Sequence, residues 1–227
     1  MEISTNSPSL SYIERLEKKR EEEDEKIASG KKINSAADDA AGLQIAERLT
    51  AQINNDAQLS FNAQDQINTN QVQEGQLAAI SEGLQRANTL SVQSGSPLAD
   101  QDAIQAEFNE LTEQINTIAE EAFGYEDFLT GLDASDPEAT QAALETAYTQ
   151  VSDAASSLGA QSNGLSSQVS TYQTSVVNVS ASRSRIQDTD YGETTSAQQQ
   201  TAVLLESAII NKKDEESRKG LLVNQVV

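Results

Sequence analysis

Few residues of this chain could carry catalytic chemistry, since its 227 residues include no cysteine and no histidine. Zinc sites, Ser–His triads and cysteine nucleophiles are therefore excluded. Asp38 and Asp39 are the adjacent acids that a carboxylate-dependent hydrolase would require. Adjacent residues on a helix point about 100° apart and cannot flank one bond. We therefore interpret the pair as helix-capping residues, and we expect no enzymatic activity, no bound metal and no cofactor.

The charge balance excludes two classes of partner. The chain has 36 acidic and 15 basic residues, giving a net charge of −21. Phosphate backbones and anionic lipids would repel it, so we expect neither nucleic-acid binding nor binding at a membrane surface. It contains no run of about 18 apolar residues, which argues against membrane insertion. The N-terminal stretch lacks the features of a cleaved secretory signal, so export would use a route without cleavage.

Apolar periodicity predicts an all-α fold, although a composition rich in Ala, Ser and Gln with 4% aromatics would also suit disorder. Gly30 ends a charged first helix, and Ser35 with an acidic first turn predicts a second helix over 35–93. A third helix begins near Asp100. A fourth begins near Pro137, and a final helix follows a break at 187–194. We predict an elongated helical bundle or coiled-coil rod, with a short irregular or hairpin tip at 123–137.

Both terminal helices combine dense charge with a thin apolar stripe. Charges run through residues 14–26 and again through 212–219. The apolar residues predicted to pair the two helices and to serve assembly are Leu10, Ile13, Leu16, Leu205 and Ile209. An isolated arm of this kind buries too little apolar surface to offset its ordering entropy, and a solvated, frayed arm is the alternative. We expect these helices to order when neighbouring chains supply the missing faces.

Short motifs occur in order along the chain. The longest spans 29–42 and includes Ser29, Gly30, Ile33, Asn34, Ser35, Ala36, Asp38, Asp39 and Gly42. Ile3–Asn6 precedes it, Glu74–Leu77 and Leu84–Ser94 follow, and Ser182–Tyr191 lies near the C-terminus. The chain resembles bacterial flagellin in these motifs and in their order.

The resemblance implies an exported, extracellular subunit that polymerises into the flagellar filament used for motility. It also implies an inner core domain of paired terminal helices, residues 1–33 and 187–227, and a rod domain over 34–186. Larger flagellins insert outer domains where this chain has only 123–137. Implied partners are other copies of the chain, the flagellar export machinery and its chaperone, and hook-associated junction and cap proteins. A hook–filament junction protein of the same family is the alternative function.

One predicted surface lies on the rod. Leu84 belongs to the inward seam of the second helix, and Arg86 points about 200° away from it, hence outward. Arg86, Leu90 and Glu107 match positions that, in flagellins, meet the host Toll-like receptor for flagellin. They equally suit rod-to-rod contacts in a filament. The charges of the terminal helices likewise leave two alternatives open, because they either line a lumen or bridge subunits.

Overall fold

The computed structural model describes residues 8–125 and 127–224, most of which are helical. The helices are α1 (Pro8–Ser29), α2 (Ala36–Ser94), α3 (Gln101–Phe123), α4 (Pro137–Gln187) and α5 (Tyr191–Asn224). The predicted all-α fold and its five helices are confirmed. Within the described ranges, β-type pairing is limited to one isolated antiparallel bridge, Lys31 with Asp188.

Two compact units share these helices. One comprises the described residues up to Asn55 together with those from Ser175 onward, and the other is Asp56–Thr174. The predicted inner and rod domains stay a prediction, because they refer to layers of an assembly and not to compactness within one chain.

In the unit Asp56–Thr174, α3 and α4 both run antiparallel to α2. The Gln73 side chain donates a hydrogen bond of 2.9 Å to the carbonyl of Ala122, at the end of α3. Ser91 donates to the carbonyl of Pro137, at the start of α4, across 3.3 Å. Gln73 precedes Ser91 along α2, and the end of α3 lies beside Gln73. Because α3 follows α2 in the chain, it must run back along α2 to reach that point. The chain then has to return before α4 begins, so α3 and α4 are parallel to each other.

Residues 124–125 and 127–136, here called the strap, make that return along α3. The Asn116 side chain accepts the N–H of Leu129 at 2.7 Å and donates to its carbonyl at 2.9 Å. The Gln105 side chain accepts the N–H of Ala134 and donates to the carbonyl of Leu132. Two amide side chains of α3 thus bind backbone groups of the strap that a neighbouring strand would bind in a sheet. The irregular form of the prediction is correct for this segment, and the hairpin form is wrong.

Apolar side chains from all these segments form one core. Ile104, Phe108 and Ile115, which recur along α3 at coiled-coil spacing, are buried. The strap contributes Leu129, Leu132 and Ala134. The other main contributors are Leu77, Ile80, Leu84, Ala87 and Leu90 of α2 and Leu144, Ala147, Val151 and Leu158 of α4. Burial at this density is the main stabilising term of the unit.

Candidate functional site

The longest sequence motif begins where α1 ends. Gly30 has φ +70°, and its N–H donates to the carbonyl of Lys26 at 3.0 Å, which closes the last turn of α1. A side chain is disfavoured at such a φ, so glycine fits this position. A Cβ here would also lie 3.0 Å from the hydroxyl of Tyr191. The predicted end of the first helix is confirmed. The nearby Tyr191 hydroxyl is a second reason why glycine is favoured at this position.

The motifs at 29–42 and 182–191 meet at this junction, whereas Ile3–Asn6 lies outside the described residues. The N–H of Lys32 donates to the carbonyl of Gln187 at 2.7 Å, and the N–H of Thr189 donates to the carbonyl of Gly30 at 3.0 Å. Nζ of Lys32 donates to the carbonyl of Arg185 at 3.0 Å. These contacts lie on either side of the bridge between Lys31 and Asp188. Two motifs more than 140 residues apart in sequence therefore form one structural element.

Asp38 and Asp39 act as caps, but not as predicted. Asp38 accepts the N–H groups of Asn34 and Ser35 at 3.0 and 2.8 Å, together with the Ser35 hydroxyl. These donors, with the Ser35 N–H first, lower the pKa of Asp38. Asp39 has φ −163° and ψ 97°, which interrupts the first turn of α2. Its carboxylate accepts the N–H of Gly42 at 2.9 Å. The regular helix is thus capped by Asp39 and not by Ser35, which was the wrong residue.

Gly42 allows this turn to pack closely. A Cβ at Gly42 would approach the Asp39 carboxylate and would lie 2.7 Å from Cδ1 of Ile33, a buried side chain. Ala36 and Ser35 are exposed. The Ser29 hydroxyl accepts the N–H of Lys31 at 3.1 Å. The motif is therefore a set of local contacts that fixes how the chain leaves α1 and enters α2.

The terminal helices pack antiparallel through a small apolar contact. Ile13 and Leu16 of α1 are buried against Leu205 of α5, with Ala208 beside them. Leu10 is half-buried, whereas Ile209 is 47% exposed. Ile209 was predicted on the same face as Leu205, but Ala208 and not Ile209 packs beside Leu205 in the α1 contact. The structure otherwise pairs α1 with α5 as predicted.

One buried polar residue in this contact was missed by the sequence analysis. Glu23 is 6% exposed, and its Oε1 accepts a hydrogen bond of 3.2 Å from the buried hydroxyl of Thr201. Nζ of Lys19 lies 3.7 Å from the same oxygen. Among the described residues no hydrogen-bond partner lies near Oε2. Glu23 stands in a run of charges with no local feature that marks it as inward-facing.

The predicted rod surface separates into an exposed pair and a core residue. Arg86 of α2 pairs with Glu107 of α3, with Nη2 2.5 Å and Nε 2.8 Å from Oε1. Their side chains are 62% and 36% exposed. Leu90 is only 5% exposed and belongs to the core of this unit. The structure therefore corrects its placement on the outer surface, because the Leu90 side chain packs into the core although it lies only about 40° around α2 from Arg86.

The geometry contains no arrangement typical of catalysis. Within residues 8–125 and 127–224, no three acidic side chains gather where they could bind a metal ion. A groove of about 860 Å³ lies among α2, the strap and α4 and is lined mainly by apolar and amide side chains. None of the helices, as far as they are described, has an apolar stretch long enough to span a bilayer.

Comparison with known proteins assigns the family. Residues 3–131 match the family model described as Bacterial flagellin N-terminal helical region. Residues 141–211 match that described as Bacterial flagellin C-terminal helical region. The chain therefore belongs to the flagellin family, whose members are structural proteins and not enzymes. Only residues 132–140 separate the two matched regions, which agrees with a short form without outer variable domains.

Individual relatives agree with this assignment. The chain is 49% identical over 98 residues to a flagellin of Clostridium tyrobutyricum. It is 43% identical over 101 residues to the flagellar filament 41 kDa core protein of Borreliella burgdorferi, and 42% identical over 123 residues to a flagellin of Salmonella typhimurium. These matches cover 42%, 43% and 52% of this chain, but only 26%, 30% and 25% of the relatives. None of the three names indicates a junction protein.

Proposed function

We propose that this chain is an exported subunit that polymerises into the filament of the bacterial flagellum and serves motility outside the cell. Membership of the flagellin family at both ends of the chain is the observation that carries the proposal. The relatives named above are flagellins or a filament core protein, and self-assembly comes to this chain by that kinship.

The surface of α5 supports self-assembly. Leu205 packs on α1, while Val203 and Ile210 remain 66% and 60% exposed, and Leu204 is 48% exposed. Over residues 202–210 the apolar side chains of α5 point in all directions around the helix, and a helical segment of this kind is normally buried on all sides. Exposed apolar patches of this kind mark interaction surfaces. The free monomer covers one side of α5, and neighbouring copies would cover the others.

The layered organisation follows from the same proposal. Paired terminal helices, 1–33 with 187–227, would form the inner core of the filament, and 34–186 would form the surrounding rod. Ile13, Leu16 and Leu205 would hold the inner pair together, with Leu10 at its edge, and Ile209 would contact a neighbour. The exposed Arg86 and Glu107 would lie on the rod surface, where they suit contacts between rods.

Further partners belong to the proposal by family. An exported filament subunit would require the flagellar export machinery and a chaperone that covers its apolar α5 surface before assembly. It would contact hook-associated junction proteins at the base and cap proteins at the tip. A host Toll-like receptor for flagellin would meet the Arg86 and Glu107 surface in the monomer, and Leu90 would support that surface from beneath.

Polymerisation followed by electron microscopy tests the function directly. We expect the purified chain to form long filaments, and Val203→Glu with Ile210→Glu to abolish them while leaving a helical monomer. Both side chains are exposed, so the charges would not disturb the α1 contact. Gln199→Glu with Gln200→Glu adds the same charge to exposed positions of the same helix and should assemble normally. Failure of the unaltered chain to form filaments under any seeding condition would refute the proposal.

A further inference from the structure

We propose that α1 joins neighbouring copies of this chain side by side, with the basic flank of one α1 facing the acidic flank of the next. The inference rests on the proposed filament function and concerns how the inner helices meet. It addresses the dense charge at residues 14–26, which a thin apolar contact with α5 does not explain.

The position of α5 defines the inward side of α1. Leu16 and Glu23 both face α5, through Leu205 and through Thr201. At 100° per residue, the remaining charges divide around the helix. One side, the basic flank, carries Arg15, Lys18, Lys19 and Lys26 with one acid, Glu22. The opposite side, the acidic flank, carries Glu17, Glu21 and Asp24 with one base, Arg20.

Glu14 and Glu25 lie on the outermost line between the two flanks. With one opposing charge each, the flanks have net charges of +3 and −2. The flank residues are exposed except for Lys26, which is half-buried. The helix thus presents two lateral surfaces of opposite sign.

Apart from Asp24, which accepts a hydrogen bond from the Gln198 side chain of α5, contacts within the helix leave these charges available. Lys18 lies 3.9 Å from Glu22 and Arg20 lies 4.0 Å from Asp24, at the outer limit of an ion pair. Both pairs have the base one turn before the acid, the weaker orientation on a helix. Lys18, Lys19 and Arg20 each lie within 4.0 Å of the acid one turn later in the helix. Exposed pairs of this kind contribute little to stability.

Opposite flanks on one helix specify the type of contact between copies. Two identical flanks would repel each other, which disfavours a symmetric pair of α1 helices. A basic flank against an acidic flank is heterologous, and each copy then retains one free flank of each sign. Repetition of such a contact generates a ring or a helix of subunits. The charges would therefore bridge subunits, which decides between the two alternatives that the sequence left open.

Complementary charge-reversal variants test this contact. In the first variant, Glu17→Lys with Glu21→Lys makes both flanks basic. In the second, Arg15→Glu with Lys18→Glu makes both flanks acidic. Each variant alone should require about a tenfold higher critical concentration for polymerisation than the unaltered chain. An equimolar mixture should assemble near the unaltered critical concentration, because each basic flank again finds an acidic one.

Two further measurements separate charge pairing from a fold defect. Glu17→Asp with Glu21→Asp keeps the charge and should assemble normally, and circular dichroism should show equal helix content in every monomer. Raising the salt from about 0.02 M to about 0.5 M should narrow the difference in critical concentration between the unaltered chain and the reversed variants, because salt screens the flanks. Normal assembly of either reversed variant alone, or failure of the folded variants to rescue each other, would overturn the inference. If the unaltered chain does not polymerise at all, the filament function itself fails.

Discussion

Arg86 and Glu107 join α2 to α3 within one chain, through two contacts from the guanidinium to a single carboxylate oxygen. The sequence indicated that Arg86 faces outward, and it is indeed 62% exposed. The sequence also indicated that Arg86 suits contacts between rods in a filament. The partner present in the monomer is Glu107, which directly precedes the buried Phe108 in α3.

A charge swap separates the contribution of this pair within the chain from its contribution between chains. Arg86→Glu should leave the monomer folded and lower its stability by no more than about 1 kcal/mol, because the pair is exposed. Adding Glu107→Arg should restore monomer stability but leave the critical concentration for polymerisation raised, since the neighbouring surface is unchanged. Thermal unfolding and sedimentation of filaments measure the two effects. If the swap restores polymerisation completely, this surface acts only within the chain.

Two glycines of α2 should respond to alanine in opposite ways. A Cβ at Gly42 would lie 2.7 Å from Cδ1 of Ile33, so Gly42→Ala should destabilise the monomer by about 1–3 kcal/mol. Gly75 has no atom within 4 Å of a Cβ position, and Gly75→Ala should stabilise the helix by up to about 1 kcal/mol. Chemical denaturation of both variants provides a matched comparison. Equal effects at the two sites would contradict the proposed packing at Gly42.

Asn116 should hold the strap against α3. Asn116→Ala removes both hydrogen bonds to Leu129, and we expect local stability to fall by about 1–3 kcal/mol as these backbone groups lose their partner. Hydrogen exchange at the Leu129 amide reports this opening directly. Gln114→Ala is the control, because its side chain bonds only to Glu110 on the exposed face of α3 among the contacts described. Unchanged protection of Leu129 would show that apolar burial alone retains the strap.

Acid should loosen the turn between α1 and α2. The N–H groups of Ser35 and Asn34 lower the pKa of Asp38, so the carboxylate stabilises the folded turn at pH above about 3.9, the ordinary aspartate value. That contribution is lost as pH falls through the lowered folded value. Carboxyl carbon shifts in an NMR titration should give a pKa for Asp38 below the ordinary one. Ser35→Ala should raise it, since the hydroxyl donor is removed, and no change on this substitution would contradict the assignment.

Periodicity determined which parts of the fold were predictable. The heptad steps through Ile104, Phe108 and Ile115 identified α3 because each residue contributes to one buried face. The strap gave no comparable signal, because Asn116 and Gln105 bind backbone groups and such contacts impose no spacing on the strap sequence.

The candidate sites show the same limit on a smaller scale. The motif at 29–42 located the turn correctly, but Ser35 and Asp39 are both acceptable capping residues, and only the backbone at Asp39 distinguishes them. Leu90 was placed by analogy on the outer surface, and its burial depends on helices that meet α2 from elsewhere in the chain. A local sequence pattern does not encode contacts between segments that are distant in the chain.

The hydrogen bond between Glu23 and Thr201 spans 178 residues, which has a kinetic consequence. During synthesis α1 is made before α2, α3 and α4, and its partner helix α5 is made after them, so α1 and α5 cannot pair until these intervening helices have been made. Contacts of such high sequence separation form slowly, because chain entropy must be lost before they contribute. We expect α1 and α5 to dock late in folding and to separate early in unfolding. In a nascent chain α1 therefore stays unpaired until α5 has been made.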